Sequence, residues 1–120
     1  MEVRTRITRI FSFDAAHLLP WHPGKCQRLH GHTYRLEVSL EGPVGDRGIV
    51  WDFADLDALV RREVIDRYDH RYLNDLFDNP TAENVAGAIW KELEAGAPAG
   101  LRIAHLKLWE TQDSAVELWP

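Results

Sequence analysis

Between residues 3 and 17 the apolar side chains fall on alternate positions. Val3, Ile7, Phe11, Phe13 and Ala15 hold the odd places, interrupted by Thr5 and Arg9, which is the period of a strand with one face against a core. His17 keeps that phase and ends the apolar face with an imidazole. The segment "LLPWHPGK", with two prolines and a glycine, breaks the pattern. It resumes as Tyr34, Leu36, Val38 and Leu40 alternating with Thr33, Arg35, Glu37, Ser39 and Glu41, the clearest strand in the chain, and "EGPVGDRG" then turns it.

The spacing next becomes helical. Asp52 in "WDFADLDALVRREVIDR" is placed to cap a helix over about 54–67, in which Leu56, Leu59, Val60 and Val64 share a face. Thr81 in "NPTAENVAGAIWKELEAGAP" opens a second, with Val85, Ile89 and Leu93 on one side, Ala86 and Trp90 beside them, and Gly96 and Pro98 to stop it. "LRIAHLKLWE" and "AVELW" add two closing strands. The order strand, strand, helix, helix, strand, strand predicts an α+β fold, a four-stranded antiparallel sheet with two helices packed on one face.

With 120 residues, 45% hydrophobic and 28% charged, the chain is expected to form a single domain over 1–120. A net charge of −5 argues against a surface that is wholly a nucleic-acid footprint, although Lys25, Arg28 and Arg35 could hold a small anion. No apolar run approaches the roughly 20 residues of a membrane span. "MEVRTRITRI" alternates charge with aliphatics where a signal peptide needs an unbroken apolar stretch, so a cytoplasmic protein without membrane or nucleic-acid partners is expected. The single cysteine cannot form an internal disulfide.

The chemistry concentrates in "KCQRLHGHTY". Residues two apart on a strand point the same way, so His30 and His32 share the face of Tyr34 and Leu36 if the second strand extends back to them, with Gly31 allowing close backbone approach. His17 would reach that face from the first strand. Three neutral imidazoles with one position left open suit a catalytic zinc better than a structural one; a chance pair of loop histidines is the plainer alternative. A metallo-β-lactamase-like HxHxD is excluded by Tyr34. "HGHTYRLE" does match a cupin-like spacing, but Glu37 would face away from both histidines, and two amphipathic helices are foreign to an all-β barrel.

Cys26 stands among Lys25, Arg28 and a glycine, and nearby cations favour the reactive thiolate over the small buried hydrophobe that a lone cysteine commonly is. Asp69 and His70 in "RYDHRYLN" set a carboxylate beside an imidazole it could orient, where a plain helix-end turn would read the same. Glu110 is in phase with Ala104, Leu106 and Leu108, a carboxylate at the end of an apolar face. It needs a partner, either the amidine-like edge of a heterocycle or an arginine. His22 and His105 show no such convergence.

Taken together and in order, "FSFDAAHLL", "KCQRLHGHTY", "GIVWDFADL", "YDHRYLN", "PTAEN" and "WET" resemble the 6-pyruvoyltetrahydropterin synthase family over nearly the whole chain. The C-x3-HGH spacing is similar to its bacterial branch, the 6-carboxytetrahydropterin synthases of queuosine and 7-deazapurine biosynthesis. The resemblance implies the tunnelling fold, assembled as a homohexamer of two trimers with sites between subunits. It implies zinc on His17, His30 and His32, Cys26 as the base at the substrate side chain supported by Asp69 and His70, and Glu110 as anchor of the pterin ring. The implied reaction takes 7,8-dihydroneopterin triphosphate to 6-carboxy-5,6,7,8-tetrahydropterin, releasing acetaldehyde and triphosphate without a redox cofactor.

The match has departures. "AVELWP" ends the chain where a Tyr-like aromatic ending is expected, and no motif fixes the triphosphate ligands, leaving Lys25, Arg28 and Arg35 as candidates. Two related products stay open, 6-pyruvoyltetrahydropterin and a hydroxymethyl pterin; variants making the latter carry a Glu close before HGH, where Gln27 stands here. A non-catalytic pterin- or zinc-binding module would need the histidines but not Cys26.

Overall fold

The computed structural model describes residues 3–120. β1 (Arg6–His17) and β2 (His30–Glu41) pair antiparallel along their whole length, with Arg6 opposite Glu41 and His17 opposite His30. The alternation behaves as expected: Phe11, Phe13, Ala15 and His17 from β1 and Tyr34, Leu36, Val38 and Leu40 from β2 are buried on one face. Val3 lies ahead of the strand and is exposed. β4 (Arg102–Trp109) runs antiparallel beside β2, and β5 (Ala115–Leu118) antiparallel beside β4.

The sheet has five strands rather than the four expected, and it is mixed rather than antiparallel throughout. β3 (Arg71–Tyr72) pairs in parallel with β1 at Ala15 and Ala16, giving the order β3-β1-β2-β4-β5. Two residues offer no alternation to read. They are placed by the turn before them, where His70 adopts a left-handed backbone (φ 60°) and its N–H donates to the Asp14 carbonyl at 2.6 Å.

Asp52 caps α1 (Phe53–Val60), its carboxylate accepting from the Ala54 N–H at 2.7 Å. The helical run expected over about 54–67 continues to Tyr68 but is not uniform. Arg61–Ile65 is wound as a π-helix ahead of α2 (Asp66–Tyr68), and Val64, Ile65 and Tyr68 stay buried through it. Thr81 caps α3 (Ala82–Gly96) through the Asn84 N–H at 3.1 Å, and Val85, Ala86, Ile89 and Leu93 form its buried face. Gly96 permits a close approach between the helices, since a Cβ there would lie 2.6 Å from Leu59 Cδ1. These faces and the inner face of the sheet make one core, whose last rows toward one end are Phe13 opposite Tyr34, Ala15 opposite His32, and His17 opposite His30. Among the described residues no helix is long and apolar enough to cross a membrane.

At the far end of the sheet a charged cluster ties three strand ends together. Glu41 is buried and accepts hydrogen bonds from Arg4, at 2.8 Å from Nη2, and from Arg102, with Arg6 Nε 3.6 Å away. The Arg4 and Arg102 hydrogen bonds hold its carboxyl down to about 2, from an ordinary 4.5. A carboxyl depressed in this way stabilises the fold above its unfolded value and loses that contribution as the pH falls toward its folded one. Glu41→Gln should therefore melt below the wild type at pH 7, with the deficit shrinking as the pH falls from 4.5 to 2. Thermal melts across that range check it; a deficit that stays constant would mean the loss is packing rather than charge.

Candidate active site

The β1–β2 register decides where the imidazoles meet. His17, His30 and His32 all project to the helix-facing side, and their ring centroids form a nearly equilateral triangle of 4.6, 4.9 and 5.1 Å. Each offers a nitrogen within 4.8 Å of the other two. His30 and His32 are strand residues in register with β1, so the alternative of two loop histidines falls away.

Their tautomers follow from their partners. His17 Nδ1 lies 2.8 Å from the Pro80 carbonyl oxygen and His30 Nδ1 lies 2.7 Å from that of Arg28. A carbonyl only accepts, so each Nδ1 carries the proton and each Nε2 presents its lone pair. The Nε2 atoms of all three histidines are buried without a hydrogen-bond partner. A buried polar atom in that state costs about 1–3 kcal/mol. A divalent metal ion bound by three nitrogens relieves all three at once and keeps one position for water or substrate. His32 is held below the usual imidazole range by burial, and the His17 and His30 rings push the same way while Glu110 opposes them. It is thus in the neutral form that binds metal.

Two further groups complete this corner. Glu110 follows β4, its N–H donating to the Ser114 carbonyl at 3.0 Å, and its Oε1 lies 3.3 Å from His32 Nε2. Among the described residues no arginine pairs with it, so the structural ion pair weighed as its alternative role is not formed. Tyr34, two residues beyond His32, is fully buried with its ring stacked on Phe13 at 5.0 Å. Burial, and after it the Glu110 charge, pushes its phenol above the usual range.

Cys26 sits half-buried in a single 3-10 turn, Lys25–Gln27, with its carbonyl accepting from the Leu19 N–H at 2.8 Å. The loop carrying it is tethered by residues that sequence reasoning did not single out. Asn74 Oδ1 accepts from the Leu18 N–H at 3.0 Å while its Nδ2 donates to the Leu18 carbonyl at 2.9 Å, and the Trp21 indole donates to Asn79 at 2.8 Å. Asn74 lies within "YDHRYLN", but its role rests on a tertiary contact that no local pattern reports. Lys25 and Arg28 flank the thiol, whereas Arg35 occupies an odd position of β2 and lies on the outer face with Trp109 and Gln112.

Asp69 and His70 do form a pair, set against the Asp14 backbone at the outer edge of β1. Asp69 Oδ1 accepts from the Asp14 N–H at 2.9 Å, its Oδ2 lies 3.0 Å from His70 Nδ1, and Asp14 in turn accepts from the Thr33 hydroxyl at 2.5 Å. The Asp14 N–H, and after it His70, hold the Asp69 carboxyl below the ordinary carboxylate range, so it is ionised and fixed against the imidazole. His70, Asp14 and Thr33 line a cleft of about 510 Å³ with Gly31, His32, Arg71 and Tyr72. Asp14 and Thr33 have the opposite strand phase to His17 and His32. Within one chain the pair is held at the β1 edge and shares its cleft with His32, and among the described residues no hydrogen bond joins it to the three histidines or to the Cys26 thiol. Gly31 is also not compelled by crowding inside the chain, since a Cβ there would meet only the Ala15 carbonyl oxygen, at an ordinary 3.6 Å. The remaining expectations on side chains hold: Glu37 faces outward to accept from the Trp109 indole at 2.8 Å, His22 accepts from the Gly24 N–H, and His105 pairs with Glu117.

The family model described as 6-pyruvoyl tetrahydropterin synthase matches residues 6–120. The chain belongs to the 6-pyruvoyl tetrahydropterin synthase family. Among its relatives in that family is a protein from Synechocystis named 6-carboxy-5,6,7,8-tetrahydropterin synthase, 40% identical over 91% of this chain and 88% of the relative. Another, from Pyrococcus furiosus, is named dihydroneopterin monophosphate aldolase and is 40% identical over 97% of this chain and 98% of the relative. The solved structure of Caenorhabditis elegans 6-pyruvoyl tetrahydropterin synthase superimposes with a TM-score of 0.85 at 28% identity, covering 98% of this chain and 96% of that one.

The histidine geometry makes a direct forecast. With zinc as the probe, the purified protein should retain about one ion per chain, and His30→Ala should retain far less while its metal-free form melts close to the wild type. Metal analysis after gel filtration reads this out, and an unchanged metal content in the variant would remove His30 from the centre.

Proposed function

We propose that this chain is a zinc-dependent lyase that converts 7,8-dihydroneopterin triphosphate to 6-carboxy-5,6,7,8-tetrahydropterin, releasing acetaldehyde and triphosphate, in cytoplasmic queuosine and 7-deazapurine biosynthesis. The observation that carries the reading is the meeting of three buried imidazole Nε2 atoms, none of them hydrogen-bonded, beside Glu110, in a chain of the pterin-synthase family. The 40% identical Synechocystis relative, named for this activity, supports it. A zinc ion on His17, His30 and His32 would polarise hydroxyls of the substrate side chain. Glu110 would accept two parallel N–H bonds from the pterin ring and so fix which side-chain carbon faces the base. The Cys26 thiolate would take the carbon-bound proton, and His70, held by Asp69, would return one. Lys25 and Arg28 would meet the triphosphate.

The position of Asp69 and His70 bears on assembly. β1 pairs with β3 only at Ala15 and Ala16, so most of its outer edge carries no partner strand, and β5 leaves a second free edge at the opposite side of the sheet. Complementary edges on opposite sides favour head-to-tail rings of copies. In the homohexamer of two trimers that belongs to this reading, the Asp69–His70 pair of one copy would meet the Cys26 loop of another.

A second reading has its own support in the Pyrococcus furiosus relative, as similar in identity and named an aldolase. It keeps the same base and ring anchor but leaves a hydroxymethyl group on the ring. Product analysis on dihydroneopterin triphosphate separates the two: 6-carboxytetrahydropterin with acetaldehyde is expected, a hydroxymethyl pterin would establish the aldolase, and 6-pyruvoyltetrahydropterin the parent activity. No turnover at all would favour a binding module.

Two variants test the roles. Cys26→Ala should keep fold and metal yet lose about 10²- to 10⁴-fold in turnover, and a loss below about tenfold would count against the thiolate as base. Glu110→Gln replaces an acceptor with a donor, so pterin binding should weaken by about 10- to 150-fold with fold and metal intact. A destabilised variant with normal pterin affinity would take Glu110 out of the site.

A further inference from the structure

Four buried side-chain polar atoms without a hydrogen-bond partner gather at the histidine end of the core. Three are the Nε2 atoms of His17, His30 and His32, which a metal ion would engage. The fourth is the Tyr34 hydroxyl, which an ion coordinated by those three nitrogens leaves unsatisfied, because a neutral phenol offers a proton and needs an acceptor. The ring is fixed: it is fully buried, stacked on Phe13 with 10° between the planes, and edge-on to His32 and His17 at centroid distances of 5.6 and 6.4 Å. A phenylalanine would fill the same space with nothing left unpartnered, so the hydroxyl is an expense of the folded chain in isolation.

A second buried tyrosine shows how the fold treats such a group when its role is structural. Tyr68 donates to Glu92 Oε1 at 2.7 Å and stands away from the histidines, against Phe13 and Phe77. Among the described residues Tyr34 has no such acceptor; Glu110 acts on it through its charge without a hydrogen bond.

We propose that the Tyr34 hydroxyl donates a hydrogen bond to a hydroxyl oxygen of the ligand's side chain at the histidine centre, so that the site selects pterins carrying a hydroxylated side chain at C6 over those carrying an alkyl group. The inference rests on the pterin reading above and adds a residue and a selectivity to it.

The test compares two stable ligands, neopterin, which carries a trihydroxypropyl side chain, and 6-methylpterin, which has the same ring without a hydroxyl. Both are titrated by calorimetry into zinc-loaded wild type and Tyr34→Phe. Neopterin should bind the variant about 3- to 10-fold more weakly, the size of one neutral hydrogen bond, and 6-methylpterin should bind both proteins alike. The zinc content should be unchanged, and the metal-free variant should melt no lower than the wild type. An equal loss for both ligands would place the effect on the ring or on packing and overturn the proposal. No loss for either, or a lower melting temperature with unchanged affinities, would show that the hydroxyl is satisfied inside the protein and overturn it as well. Failure of the wild type to bind either pterin would instead sink the pterin reading, and this inference with it.

Discussion

Everything at the candidate site depends on one register, the antiparallel pairing of β1 with β2 that sets His17 opposite His30. Side chains on a strand alternate between faces, so a slip of one residue in either strand would send its histidines to the opposite side of the sheet. The slip is opposed by the same alternation further along. Phe11 and Phe13 would leave the core with His17, and Tyr34, Leu36, Val38 and Leu40 would leave it with His30 and His32. Each large side chain is worth about 1.5–3 kcal/mol when buried, so the hydrophobic rows hold the register far more firmly than the histidines could hold it themselves. The histidine cluster is a passenger on a core that is specified for other reasons.

The helices then refine what the sheet has placed. α3 begins at Thr81, and the residue before its cap, Pro80, lends its carbonyl to His17 Nδ1. The start of a helix therefore fixes the tautomer of an imidazole on a strand. Arg28 does the same for His30 from the end of the Cys26 loop, and that loop is held in turn by Asn74 and Asn79. Orientation of the three Nε2 atoms is thus shared between the sheet, the α3 start and the β1–β2 connection. Such second-layer contacts govern how well imidazoles hold a metal, because they settle in advance which nitrogen is free.

These layers explain what could be read from the chain beforehand. The convergence of His17, His30 and His32 was legible because strand phase alone decides it, and the core of Phe11, Phe13, Tyr34 and Leu36 follows the same rule. Glu110 was legible on the same ground, being in phase with Leu106 and Leu108. β3 was not, since two residues carry no period and their place depends on the left-handed turn at His70. The π-helical segment at Arg61–Ile65 was hidden for a related reason: its apolar residues satisfy an ordinary helical face almost as well. Asn74 and Trp21 act through contacts more than fifty residues away in sequence, beyond any local signal. The pairing of Asp69 with His70 could be read, but its place at the β1 edge could not, because that depends on Asp14 and on the turn that delivers it.

The sheet consequently separates two kinds of chemistry. On its inner side lie buried imidazole nitrogens, with a carboxylate and a phenol beside them; at the β1 edge lies an ionised carboxylate fixed to an exposed imidazole. A proton relay needs its members within hydrogen-bond reach or one water apart, and among the described residues no hydrogen bond joins the pair to the histidines or to Cys26. Either the outer pair serves no reaction, or it serves the inner pocket of another copy. The proposed assembly favours the second choice, because pairing at the free edges would bring one copy's Asp69 and His70 toward another copy's loop. In this reading, oligomerisation and catalysis have one origin: the strand edges that β1 and β5 leave open.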